Sequence, residues 1–306
     1  MEKKRVFIFL GIVYGLTILS SLPLFLLNIE VKSIYTNFAL IIISMIFMWF
    51  PTVATLITKK VTKDNFKIKL RPQIKKYWKY YVQACFIPGV LIFIGAILYF
   101  VIFPNNFDLT GEYTLSLLPT GTELPFQLSI QTVLLISIAL IFVAPLVIIN
   151  HIFAFGEEYG WRGYILPKLC SIMSVRKSVV VSGILWGLGH APLICFGLNY
   201  NSGYWGYPFT GMLMMIIFAT VIGTWLSYLT IKTESVLAAS IAHGAINAIR
   251  EGPFLISVIG VNTLLGPKPS GIIGMSGFII LAIFCLQKIK KLETKNNFSC
   301  CIKFLE

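Results

Sequence analysis

Apolar runs, most of them long enough to cross a bilayer, recur along almost the whole of this chain. They fall at residues 6–28, 35–58, 80–103, 130–167, 178–196, 209–231, 235–250 and 271–288. A hydrocarbon core about 30 Å thick is crossed by roughly 20 predominantly apolar helical residues. Charged side chains make up only 12% of the 306 residues and apolar ones 57%, whereas an average soluble protein is about 25% charged. No single soluble core hides so many apolar side chains, because even a large domain leaves much of its surface wet. The pattern predicts an all-α, polytopic membrane helix bundle of about eight transmembrane helices, multi-pass in the cell membrane.

Charge placement predicts how the bundle sits. The net charge is +13, but it is grouped. Lys59, Lys60, Lys63, Lys67, Lys69, Arg71, Lys75, Lys76 and Lys79 share one loop with a single acid, Asp64. Basic groups beside apolar runs are the positive-inside signal, so a nucleic-acid partner is not expected. With the N-terminus in the cytoplasm and the spans alternating, every Lys and Arg lies in an inner segment except Lys32, Arg162, Arg250 and Lys268. Asp108, Glu112 and Glu123 then fall in an outer loop, 104–127. Both termini and loop 59–79 are expected to be cytoplasmic, the loop in contact with anionic lipid headgroups. Met1–Arg5 is basic, but the run behind it is too long for a usual signal peptide and reads as a retained first span. The six cysteines, Cys85, Cys170, Cys195, Cys285, Cys300 and Cys301, form no metal-type pair and no disulfide framework. Cys300 and Cys301 carry only a weak acylation signal.

One stretch does not fit a single straight crossing. Leu128–Leu166 would be roughly 58 Å long as one helix, so a kink at Pro145 or an outer part running along the surface is expected. Three parts follow: N-terminal transmembrane helices with the basic loop at 1–127, a core at 128–250, and a last transmembrane helix with a basic tail at 251–306.

Ionisable side chains within spans are costly and default to functional readings. Here they cluster in the second half: Glu157, Glu158 and Arg162 in GEEYGWRG, His190 in LWGLGH, and His243 with Asn247 in IAHGAIN. Counted from the flanking Lys168, Lys177 and Lys232, the acid and the two imidazoles lie about 16–20 Å deep, at similar heights. Glu158 and Arg162 are four apart, acid first, and can pair along the helix. Glu157 is rotated about 100° from Glu158 and is free to face a cavity. His243 and Asn247 share a helix face among small residues that let helices approach. A carboxylate and an imidazole facing one water can activate it for attack on a peptide carbonyl. A second imidazole and an amide can hold the oxyanion that forms. Glu157 and His190 are therefore the expected base pair, and His243 and Asn247 the expected oxyanion donors. Glu157 with two histidines could also hold zinc on chemistry alone, although no cofactor is expected. His151, Trp161, Tyr164 and Trp186 read as structural or packing residues.

At these positions the sequence resembles the CPBP family of membrane peptidases, which includes CAAX prenyl endopeptidases and bacterial bacteriocin-processing or immunity proteins. Glu157, Glu158 and Arg162 match its EExxxR motif, followed by Gly163. His190 matches its second motif, where Trp186 stands at the usual Phe four residues before it. His243 and Asn247 match the third, HxxxN. The resemblance covers about residues 150–250. It implies a metal-independent glutamic endopeptidase in which Glu157 and His190 activate water and His243 and Asn247 form the oxyanion hole. Glu158, Arg162 and Trp186 are then supporting residues. The implied partner is a peptide or protein substrate, lipidated or a leader peptide, presented among membrane lipids. Two other readings of the same residues are a non-catalytic immunity or scaffold protein and a proton-coupled transporter.

Overall fold

The computed structural model describes residues 1–26, 42–116, 118, 121–122 and 128–295. Among these the fold is all-helical, its β content a single bridge between Phe107 and Ser257. The long helices are α1 (Glu2–Leu26), α2 (Phe50–Val61), α3 (Ile74–Ile102), α4 (Ile130–Val143) and α5 (Ile148–Gly160). They continue with α6 (Val175–Leu188), α7 (Phe209–Thr233), α8 (Val236–Ile249) and α9 (Ser276–Lys295). Helix ends follow local chemistry. The Ser129 and Ser235 hydroxyls accept from Thr132 N and Leu237 N at the starts of α4 and α8, satisfying donors that helix geometry leaves free. Pro51 sits in the first turn of α2, where a missing N–H costs nothing.

Among the described residues, four stretches are long and apolar enough to cross a membrane: Glu2–Leu24, Ile42–Val61, Ile74–Ile102 and Phe209–Thr233. Ile130–Leu146 and Ile148–Cys170 form a fifth candidate, bent by 59° at the break between them. That bend resolves the over-long stretch: the chain turns through a short 3-10 segment, Ala144–Leu146, at Pro145. His151 Nε2 bonds the freed Pro145 carbonyl at 2.9 Å. Helices α6 and α8 have only 14 residues each, about 21 Å of rise. Phe7, Val101, Leu135 and Ile280 are largely exposed, a surface suited to lipid rather than water. Cys85, Cys170, Cys195 and Cys285 are free thiols. Cys300, Cys301, Glu123 and the start of the expected span at 35 lie outside the described residues.

Around these helices the apolar core is tied at one end by buried charge. Asp64, the single acid of the basic loop, meets Lys168 Nζ at 2.7 Å and Arg5 Nε at 3.4 Å, and accepts from the Tyr164 hydroxyl at 3.0 Å. Glu2 pairs with Lys168 at 3.1 Å and also with Arg5. Burial alone would raise the Asp64 carboxyl. The Lys168 ammonium, the Phe66 N–H and the Tyr164 hydroxyl outweigh it and hold the group below its ordinary value. Nearby, Val236 N bonds Lys69 O at 3.2 Å, joining the basic loop to the start of α8.

Candidate active site

Three helices bring the polar clusters together, and small residues let them do so. Helix α8 packs on both α5 and α3, and α6 packs on α7. At the α5–α8 crossing a Cβ on Gly244 would overlap His151, so only a bare backbone fits. Gly187 plays the same part on α6, where a Cβ would lie 2.5 Å from Ile216 Cα.

Glu157 and Glu158 end α5, and Arg162 follows in a π turn, Trp161–Ile165. Such turns insert an extra residue and often occur at functional sites. Glu158 is fully buried, and its Oε1 accepts from Arg162 Nη1 at 3.0 Å and from His243 Nδ1 at 2.9 Å. The expected Glu158–Arg162 pair is therefore present, and it also anchors a histidine from another helix.

Trp186 organises the other side. Its indole N–H donates to Glu157 Oε2 at 2.6 Å. The Arg162 guanidinium lies 4.3 Å above its ring, and His190 and His243 pack edge-on to it at 5.9 and 5.3 Å. A side chain read from sequence as packing thus touches Glu157, Arg162 and both histidines. The residue four before His190 was visible in the sequence, but its N–H partner was not.

Tautomers follow from the acceptors. His190 Nδ1 lies 3.0 Å from the Trp186 carbonyl, which can only accept, so Nδ1 carries a proton and Nε2 is the basic atom of the neutral ring. His243 Nδ1 faces the Glu158 carboxylate and carries a proton by the same logic.

Glu157, His190, His243 and Asn247 all line one cavity of about 110 Å³. Two contributions to its wall escaped the sequence reading. Val13, Thr17, Met48 and Pro51 bring α1 and the 42–61 segment to the site, although that part of the chain holds no motif. Arg250 lines it from just beyond α8. His151 does not line it, in keeping with a structural reading. Among the described residues no three His, Cys, Asp or Glu side chains are grouped to hold a metal ion. The Nδ1 atoms of both cavity histidines and one Glu157 oxygen are already engaged by protein.

Part of the chain is similar to known proteins. A family described as type II CAAX prenyl endopeptidase Rce1-like matches residues 129–249, a range that runs over the three motifs from Glu157 to Asn247. The CAAX prenyl protease 2 of Methanococcus maripaludis is 33% identical over 112 residues, 35% of this chain. The match spans 40% of that relative's length.

Proposed function

With residues 129–249 falling in the CPBP/CAAX protease family, we propose that the chain is an intramembrane endopeptidase. It hydrolyses a peptide bond of a membrane-associated peptide or protein, lipidated or a leader peptide. It crosses the cell membrane eight times, with both termini in the cytoplasm. One observation carries the reading: a carboxylate, two imidazoles and an amide from three segments of the chain line a single cavity.

In the proposed reaction a water lies between Glu157 and His190 Nε2. It loses a proton to this pair as its oxygen attacks the peptide carbonyl carbon. The oxyanion takes hydrogen bonds from the Asn247 amide and from His243. Since His243 Nδ1 already donates to Glu158, donation to the oxyanion calls for the imidazolium, with Nε2–H as the second donor. Collapse breaks the C–N bond, and the proton held by Glu157 and His190 passes to the leaving amine. Trp186 fixes Glu157 by its N–H. No step is routed through a metal.

The test is turnover per folded molecule in detergent, with quenched fluorescent peptides. Glu157→Gln and His190→Ala fall to background. Asn247→Ala, which leaves the water activated, loses about 10²–10³ in rate. Treatment with a chelator leaves the wild type active. Near wild-type turnover by Glu157→Gln sinks the glutamate mechanism. A protein that cuts nothing but supports proton-coupled uptake is the transporter instead. A protective phenotype that survives both substitutions marks the non-catalytic immunity reading.

A further inference from the structure

Helix α6 starts with two cations, Arg176 and Lys177, and no acid stands in its first turn. Cations there are set against the positive pole of the helix, so a counter-charge must come from elsewhere. Part of it comes from α9. Glu293 accepts from Arg176 N at 3.1 Å and from Arg176 Nε at 3.0 Å, which uses both carboxylate oxygens. Lys177 is exposed and makes no ion pair with any described residue. Lys290 is exposed too and makes none. It stands three residues before Glu293 and four after Leu286, so it shares their face of α9. Three cations thus meet one acid where the two helices pack.

Beneath this charge the surface turns apolar. Arg176 and Lys177 line an open groove of about 490 Å³ between α6 and α9, walled by Val180, Val181 and Leu286. Each valine stands one helical turn beyond a cation, on the same face. Ile184 and Leu188 continue the Val180 face and are 37% and 42% exposed. On α9, Ile283 continues the Leu286 face and is 52% exposed. A cationic rim therefore opens onto an apolar track that runs along both helices. A small anion would leave the track uncovered, and a neutral chain would leave the rim unmatched.

We propose that this groove binds one anionic glycerophospholipid of the adjoining leaflet. The phosphate sits against Lys177 and Lys290, and an acyl chain lies along Val180, Val181 and Leu286. The site is independent of the peptidase reading. It lies at the far end of α6 from His190, about 20 Å away along the helix, so its residues can be changed without touching the cavity. The competing role for these cations is a topology signal alone, which is indifferent to the lipid in the groove.

The experiment places the full chain in phosphatidylcholine nanodiscs. A trace of phosphatidylglycerol or phosphatidylcholine, each with a diazirine on one acyl chain, is added and irradiated. Labelled peptides of α6 and α9 are quantified by mass spectrometry. The glycerol probe is expected to label the groove at least about fivefold more than the choline probe, the factor that one lysine near a surface contributes. Lys177→Gln with Lys290→Gln removes the preference. Lys67→Gln with Lys75→Gln, an equal loss of charge from the basic loop, leaves it. Each variant is checked for folding by its elution profile. Equal labelling by the two probes overturns the proposal, as does a preference that survives the Lys177 and Lys290 changes. An equal loss in both double variants marks a diffuse field and overturns it too. So does displacement of the probe by inorganic phosphate, which identifies a small-anion site instead.

Discussion

Glu157 and Glu158 are neighbours with opposite fates, and the difference comes from helix geometry. One turns to the cavity, where Trp186 holds it; the other turns inward to Arg162 and His243. Substitutions at the two should therefore fail differently. Trp186→Phe keeps the ring above Arg162 and between the histidines but deletes the N–H on Glu157. Loss of a hydrogen bond to a charged group is worth about tenfold or more in rate, so turnover should drop by that order while the yield of folded protein holds. Equal turnover of Trp186→Phe and wild type would show that the indole N–H does not position the carboxylate. Glu158→Gln strips the counter-charge from a buried guanidinium, and breaking such a pair is strongly destabilising. Its yield should fall together with its activity, as read by size-exclusion in detergent. At this scale the sequence revealed much. Acid spacing, the i, i+4 pair and the His–Asn face all follow from helix periodicity. It could not reveal that Glu158 also binds His243, because that contact joins residues 85 apart across a helix crossing.

Among the elements, the basic loop was legible as a topology signal, while its one acid was not legible as an anchor. Asp64 collects Arg5 from α1, the Tyr164 hydroxyl from the π turn and Lys168 from the turn after it. It thereby clamps the loop to the helix that carries Glu157. A single acid among nine bases gives no hint of burial; only the tertiary fold buries it. The pH consequence has a definite sign. A carboxyl held below its ordinary value contributes stability above that value and loses it as pH falls through the lower, folded one. Asp64→Asn should lower the thermal midpoint at neutral pH by about 5 °C or more. The gap to wild type should then close as the solution is acidified below the ordinary carboxylate range. A gap that stays undiminished well below that range would refute the clamp. The bend at Pro145 is the complementary case. There the sequence showed that a straight helix was too long, and a proline supplied the place to break it.

Across the whole molecule, contacts sort the connections into two ends. Glu2, Arg5, Asp64 and Lys168 meet at one, and Lys69 joins it to the start of α8. Arg176, a few residues past Lys168, pairs with Glu293 near the end of α9 at 3.0 Å. Asp108 N bonds Ile256 O and Val258 N bonds Asn106 O, grouping loop 103–110 with the segment after α8. The first group carries most of the cations, so positive-inside logic predicts that it faces the cytoplasm. A chain whose first and last helices return to the same end crosses an even number of times, in keeping with the proposed eight. Single cysteines test this on a background with the native cysteines replaced. Lys67 and Asn105 are both exposed, so neither substitution disturbs packing. In intact cells, a membrane-impermeant maleimide should label Asn105→Cys and spare Lys67→Cys, which reacts only after the membrane is opened. Labelling of Lys67→Cys from outside, with Asn105→Cys protected, would invert the molecule. Labelling of both from outside would place an extra crossing or a re-entrant turn between them, and helix α3 could then not be the single span its 29 residues allow.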